Sequence, residues 1–283
     1  MIETPATLPS AVRYRLATFG TPTLVGPGDS TVLGSHGHHR RRLALLAVLA
    51  AAGDRGRSRD QLLGLFWPEA TQGRARHALE QLLYLLRSSI GESVFATSNP
   101  VSLNADLVRS DVAEFGAALQ RGDLEAAVEQ YRGPFLDGFY LEDTPGFERW
   151  VEAERAHLAD SYSDALARLG AGADAAKDHA TAVRWWRRLA EADPLSSRNA
   201  TGLIRALASA GDHAAALQYA ERYEVLVSEE LGVSVGPMVA DLVAEVRKAA
   251  KTDPVATSRS PPASSPSTRS QSAPVIAPQT TAM

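Results

Sequence analysis

The chain has 283 residues, of which 45% are hydrophobic and 22% charged, and it contains no cysteine. This length predicts two domains and a tail, while the absence of cysteine excludes disulfide bonds and thiolate metal sites and suits a reducing cytosol. The longest apolar run, residues 43–52, is about half of the ~20 residues that a membrane-spanning helix needs, and the first residues show no secretory signal. We therefore expect a cytoplasmic protein.

The net charge of −4 is unevenly distributed. Residues 1–105 hold 11 Arg and Lys against 7 Asp and Glu, residues 106–250 hold 15 against 25, and residues 251–283 hold 3 against 1. A basic segment followed by an acidic one suggests that only the first segment meets a polyanion, although an excess this small is also found on ordinary protein surfaces.

The first predicted elements are a small sheet and a buried helix. Residues 12–34 alternate apolar and polar side chains between Gly- and Pro-rich turns, which predicts a small antiparallel sheet. The Leu- and Ala-rich segment 40–52 is apolar nearly all round and is followed by Gly53. It predicts a helix packed between neighbours.

Two further helices follow. Ser58 and Gln61 have the spacing of a capping box at the start of a second helix, and Pro68 marks its end. A third helix is predicted from about residue 73 to residue 90. Its apolar side carries Ala75, Leu79, Leu82, Leu83, Leu86 and Ile90, and its polar side carries Arg74, His77, Gln81, Tyr84 and Ser88.

A hairpin completes the first domain. Two short strand-like segments, residues 94–97 and 101–103, flank a turn formed by Ser98, Asn99 and Pro100. A small sheet, three helices and a terminal hairpin together predict a winged helix-turn-helix.

The second half is predicted to be helical and repetitive. Segments beginning at Lys177 and Gly211 repeat with a period of 34 residues, and the segment near Gly122 is a looser copy outside that period. This pattern is typical of tetratricopeptide-like helix pairs, which form curved surfaces for partners. The fold class is therefore mainly α, with a disordered Ser-, Thr- and Pro-rich tail over residues 251–283.

The third helix is the main candidate site, because arginine forks suit guanine and glutamine suits adenine in the major groove. A solvated helix face is the alternative, but the capped helix before it and the hairpin after it favour DNA recognition. The candidate contacts on this helix are Arg74, Arg76, His77, Gln81, Tyr84 and Ser88.

Other basic residues are candidate phosphate contacts. Arg55, Arg57 and Arg59 surround the capped start of the second helix, where the helix dipole favours an anion. Plain loop charges are the alternative for these three residues. Arg40 and Arg41 begin the first helix and are either phosphate contacts or solvated loop charges. The neighbouring histidines at 36, 38 and 39 lack the partners of a metal site, so no metal is expected.

Enzyme motifs are not found in the sequence: it has no phosphate loop, no GxSxG elbow and no HExxH pair. The aromatic-rich segment 133–150, together with Trp185 and Trp186, is predicted to form core packing. We therefore expect neither catalysis nor a cofactor.

The ordered set of segments resembles a known family. The first half is similar to an OmpR-type winged helix in the order HRRRLALLAVLA, SRDQLLGLFWPE, RARHALEQLLYLLR and hairpin. The second half resembles the bacterial transcriptional activator domain of antibiotic-regulatory (SARP) proteins through DVAEFGAALQRGDLEAAVEQYRGPFLDGF, FERWVEAERAHL and EADPLSSRNATGLIRALASAGDHAAALQYAERYEVLVSEELGV. The resemblance covers residues 12–250 and implies a DNA-binding domain over 12–105 and an activator domain over 106–250.

The resemblance implies a cytoplasmic transcriptional activator that binds direct repeats upstream of promoters as neighbouring protomers and recruits RNA polymerase. The third helix would enter the major groove, and the loop at residues 67–72 would face polymerase. In such proteins the hairpin usually brings a basic residue to the minor groove. This chain departs from that pattern, because residues 93–103 contain neither Arg nor Lys.

One alternative function remains at this point. The chain would be a tetratricopeptide-type adaptor whose winged helix has become a protein-interaction module and no longer binds DNA specifically. The small net charge of the first half and the uncharged hairpin favour this alternative.

Overall fold

The computed structural model of the protein describes residues 14–35 and 37–252. The strands are β1 Tyr14–Ala17, β2 Thr23–Val25, β3 Thr31–Leu33, β4 Phe95–Ser98, β5 Val101–Leu103 and β6 Val108–Ser110. The helices are α1 Arg40–Ala52, α2 Arg59–Phe66, α3 Gln72–Ile90, α4 Asp111–Arg121, α5 Leu124–Gln130, α6 Pro145–Ala175, α7 His179–Ala192, α8 Ser197–Ser209, α9 His213–Leu231 and α10 Pro237–Thr252. The predicted tail beyond Thr252, and His36, lie outside the described residues.

The winged helix is built around α1. Every residue from Leu43 to Ala50 is buried, as the sequence predicts for a helix that is apolar all round. At the start of α2 the predicted capping box is present: Gln61 N donates to Ser58 Oγ at 3.2 Å, and Ser58 N donates to Gln61 Oε1 at 2.9 Å. The buried residues of α3 are the six predicted ones. These three helices and the β4–β5 hairpin confirm the winged helix-turn-helix.

The N-terminal sheet has a fourth strand that the sequence did not predict. Its order is β3-β2-β1-β6, with β1–β2 and β2–β3 antiparallel and β6 parallel to β1. The expected antiparallel sheet is therefore a mixed one. A strand of three residues whose partner lies about ninety positions away leaves no local pattern to detect.

The first residue of α4 joins the two halves of the molecule. The Asp111 carboxylate accepts hydrogen bonds from Thr18 N at 2.9 Å, Thr18 Oγ1 at 2.5 Å and Phe19 N at 3.0 Å. Nearby, Leu136 N donates to Thr18 O at 2.8 Å. Thr18 is fully buried, so these bonds satisfy polar groups that water does not reach.

Helix α2 also packs against the second half. The rings of Phe66 and Phe147 stack with centroids 5.5 Å apart. A Cβ on Gly146 would lie 3.1 Å from the Leu65 carbonyl oxygen, so the start of α6 approaches the backbone of α2 closely. A single hydrophobic cluster consequently runs through both halves.

The helical region contains three pairs with the same connection, α4/α5, α6/α7 and α8/α9. In each loop one residue has a left-handed conformation, at Gly122 (φ 74), Lys177 (φ 58) and Gly211 (φ 80). The next residue is an aspartate that caps the following helix: Asp123 accepts from Ala126 N, Asp178 from Thr181 N and Asp212 from Ala215 N. The segment near Gly122 is thus a structural copy of the other two, displaced in sequence because α6 has 31 residues.

Aromatic residues form the core here, as predicted. Trp185 and Trp186 are buried, and Trp186 Nε1 donates to Asp174 Oδ2 at 2.8 Å. The Trp186 ring fills the space beside two glycines, since a Cβ at Gly170 or Gly202 would approach it to 2.8 Å or 2.3 Å. Within the segment 133–150 the buried residues include Phe135, Leu136, Phe139, Leu141 and Phe147.

Candidate nucleic-acid interface

Helix α3 leaves a complete face open to solvent. Its six apolar residues are anchored in the core, and Tyr84 on the opposite side is 65% exposed. At its N-terminus Thr71 forms no side-chain cap, so the first backbone N–H groups remain available to an anion. The exposed candidate residues are Arg74, Arg76, His77, Gln81, Tyr84 and Ser88.

The exposed residues of α3 fall on two neighbouring sides. At 100° per residue, five of the six candidates lie opposite the core. Arg76 lies on a flank with Glu80 and Arg87. That flank faces the hairpin, because the Arg87 guanidinium lies 5.4 Å from the centre of the Phe95 ring in β4.

The loop before α2 adds a third backbone segment to the hairpin. Arg57 N donates to Val101 O at 2.9 Å, and Val101 N donates to Arg57 O at 2.8 Å. Gly56 makes this approach possible: it has a φ of 60°, and a Cβ there would lie 2.5 Å from the Val101 carbonyl oxygen.

Arg59 links α2, α3 and the hairpin. Its Nε donates to Ser98 O at 3.3 Å, and its guanidinium forms an ion pair with Glu80 of α3. The sequence placed Arg59 at the start of α2 but gave no signal of these two contacts. The structure therefore brings Arg59 to the edge of the exposed α3 face.

Arg57 is half-buried, and its side chain lies in a different environment from that of Arg59. Burial raises the pKa of Glu154 in α6, while the positive charges of His157, Arg57 and Arg55 act in the opposite direction. Arg57 therefore lies close enough to α6 to interact electrostatically with Glu154. Its Nε is buried without a hydrogen-bond partner among the described residues.

Arg40 is occupied by the second half of the molecule. Its guanidinium donates to the Tyr140 carbonyl oxygen and lies 4.2 Å from the centre of the Tyr140 ring and 5.2 Å from that of Phe139. The structure thus does not bring Arg40 to the α3 surface. Arg41 beside it is exposed, and Arg42 Nη1 donates to Ser89 Oγ in the last turn of α3 at 3.1 Å.

The connection between α2 and α3 projects into solvent, with exposed residues Pro68, Glu69, Ala70, Thr71 and Gln72. Across residues 14–35 and 37–252, the His, Asp and Glu side chains form no group of three or more that would hold a metal ion. No helix in these ranges combines the length and apolarity that crossing a membrane requires.

Residues 106–247 match the family described as the bacterial transcriptional activator domain. The match covers about half of the chain, and the chain belongs to this family. This family is one of transcriptional regulator domains, not of enzymes.

A solved structure of Mycobacterium tuberculosis EmbR, in complex with a low-affinity phosphopeptide, has a similar fold. The TM-score is 0.55 at 21% sequence identity, and the alignment covers 84% of this chain and 65% of EmbR. At this identity the likeness concerns the fold alone. A comparison with curated proteins gives no match.

Proposed function

We propose that the protein recognises a specific DNA sequence by placing α3 in the major groove and activates transcription from the adjacent promoter. The main support for this proposal is that α3 is packed against the core on one side and exposed to solvent on the other. Such a helix presents its polar side chains in a fixed arrangement, which base readout requires.

The proposed roles follow the position of each side chain. Arg74, His77 and Gln81 face base edges, and Tyr84 and Ser88 lie deeper in the groove or at the sugar–phosphate backbone. Arg76 enters the major groove from the flank of α3 that faces the hairpin. Arg41, Arg57 and Arg59 are proposed as phosphate contacts that fix the register without reading sequence. Arg40 is left out, because Tyr140 and Phe139 already engage it.

We further propose a DNA-binding domain over residues 12–105 and an activator domain over 106–250. The activator domain contacts RNA polymerase or neighbouring protomers bound to direct repeats. Its excess of ten negative charges supports contact with proteins over contact with DNA. The exposed loop at residues 67–72 is a second surface for polymerase.

The first test is retention of genomic fragments by the purified chain at physiological salt, followed by sequencing. We expect a small set of promoter-upstream fragments that share a direct repeat. On that operator, Arg74→Ala should cost about 1–3 kcal/mol of binding free energy and relax the preference at one base pair. Arg168→Ala, a charge removal on an exposed residue of α6, should leave the affinity unchanged.

Two results would contradict the proposal. Diffuse retention that disappears as salt rises would show only non-specific attraction to phosphates. Retention that is absent, or unaffected by reversing the charges of Arg74 and Arg76, would favour the adaptor function. A protein partner would then be sought.

A further inference from the structure

The β4–β5 hairpin has no cation of its own. Residues 93–103 contain neither Arg nor Lys, and the turn exposes Ser98, Asn99 and Pro100. The Thr97 hydroxyl is already engaged, with Ser102 Oγ at 2.8 Å and with the Pro100 carbonyl oxygen. The hairpin therefore offers a duplex little electrostatic attraction.

Arg59 supplies a cation at this position from another element. Its Nε is bound to Ser98 O at the end of β4, and its Nη1 is paired with Glu80. The Arg59 side chain is 36% exposed, and within the described residues its Nη2 makes no hydrogen bond. One edge of the guanidinium thus stays free to donate beside the open face of α3.

We infer that Glu80 is a specificity-determining residue that positions Arg59 between α3 and the hairpin, where Arg59 takes the place of the missing hairpin cation and binds a backbone phosphate. The inference rests on the proposed function of α3. A flexible arginine meets a phosphate in almost any register, whereas a guanidinium held by a carboxylate and a carbonyl presents its free edge in one direction.

The ion pair itself points to this role. Both side chains are substantially exposed, at 36% for Arg59 and 54% for Glu80, and such pairs contribute little to folding stability. Helix α2 is already held by its buried residues Leu62, Leu63 and Phe66. In the proposed complex the Glu80 carboxylate would lie near backbone phosphates, so a duplex whose register does not engage Arg59 would meet an unfavourable charge.

The test compares two duplexes of equal length and composition, the operator and a shuffled version, bound by the full chain. In the wild type we expect clear discrimination between them. Glu80→Gln should weaken operator binding about threefold to tenfold and strengthen binding to the shuffled duplex several-fold, because it loses the positioning and also the repulsion. Glu92→Gln removes an exposed carboxylate just beyond α3 and should change neither affinity.

A double-mutant cycle completes the test. Arg59→Ala should weaken operator binding and reduce the slope of log affinity against log salt by about 0.9, the value for one phosphate contact. The double variant should bind the operator no more weakly than Arg59→Ala alone, since Glu80 acts through Arg59. Thermal midpoints of all variants should stay close to that of the wild type.

The outcomes separate the inference from the proposed function. If the wild type does not discriminate between the duplexes, the proposed function fails and the inference fails with it. If discrimination survives Glu80→Gln unchanged, or the two single effects on the operator are additive, the inference alone is overturned. Equal tightening on both duplexes would overturn it too, because Glu80 would then be only a repelling charge.

Discussion

The winged helix and the helical repeats are both mainly helical, yet they are stabilised in different ways. In the winged helix, α1 is buried on all sides and the other elements pack around it. In the repeats, each pair of helices is closed by the same short loop, with a left-handed residue followed by a capping aspartate. The first region therefore depends on one central element, whereas the second depends on a local unit used three times.

This difference explains where the proposed recognition surface can form. Because α1 fills the centre of the winged helix, α3 packs against the core with only one of its faces, and its other face stays exposed. Among the repeats, α8 has buried residues around most of its circumference, since α7, α9 and α10 surround it. The comparison predicts that substitutions at the junction affect both regions, while substitutions in the repeat loops have smaller, local effects.

Asp111→Ala at the junction should have the largest effect. It leaves Thr18 N, Thr18 Oγ1 and Phe19 N without their acceptor, and Thr18 is fully buried. We expect a loss of about 3 kcal/mol in the free energy of unfolding, because buried donors without a partner are costly. Denaturant unfolding, followed by circular dichroism, measures it.

Asp106→Ala is the control for that variant. Asp106 is exposed and lies just before β6, so its removal should change stability by less than about 0.5 kcal/mol. If Asp111→Ala unfolds at the same midpoint as Asp106→Ala, the carboxylate does not hold the two regions together.

The junction also shows where prediction from the sequence succeeded and where it failed. The bounds of α1 and the buried face of α3 follow from local patterns, namely a Leu- and Ala-rich run ended by glycine and an apolar stripe with helical spacing. The pairing of β6 with β1 and the bonds from residue 18 to Asp111 join positions more than ninety residues apart. Nothing in either segment alone specifies such a contact.

The candidate site was predicted to a similar extent. The solvent-exposed face of α3 could be predicted from the helical periodicity of its apolar residues, because the polar residues opposite them must face solvent. The sequence could not predict the contact of Arg59 with Ser98 or that of Arg40 with Tyr140, because a long charged side chain can reach several partners. The DNA contacts themselves stay predictions.

Gly202→Ala should have the next largest effect, within the repeats. The new Cβ would lie 2.3 Å from a Trp186 ring carbon, so the buried ring has to move. We expect a loss of about 2 kcal/mol in the free energy of unfolding from overpacking. Gly172→Ala is the matched control in α6, where no atom lies within 4 Å of the new Cβ and the higher helix propensity of alanine should stabilise slightly. Equal midpoints for the two variants would contradict the tight packing of Trp186.

Asp212→Ala tests the capping aspartate of the repeat loop. It removes the acceptor of Ala215 N and should cost about 1 kcal/mol in the free energy of unfolding, as for other helix caps. Glu224→Ala, in the exposed middle of the same helix, is the control. A cost at Asp212 no larger than at Glu224 would show that the cap contributes nothing.

The equivalent Asp178 predicts a pH dependence for the same unit. Hydrogen bonds from Thr181 lower the pKa of Asp178 below its usual value. The stabilisation is therefore present when the pH is above the pKa of an unfolded aspartate and is lost as the pH falls through the lowered folded pKa. We therefore compare the free energies of unfolding of Asp178→Asn and of the wild type at several pH values between the folded and the unfolded pKa of Asp178. The difference between the two proteins should become smaller as the pH falls, because only the wild type loses this stabilisation.

Lys177→Gly should have the smallest effect and the opposite sign. Lys177 occupies the left-handed position that Gly122 and Gly211 occupy in the other two loops. Glycine removes the steric cost of that conformation, but it also increases the conformational entropy of the unfolded chain, so we expect a net gain of about 0.5 kcal/mol. Gly211→Lys is the reciprocal variant and should lose a similar amount. If both variants were destabilised, the backbone strain at Lys177 would have to be offset by contacts of its side chain, and the three loops would not be equivalent units.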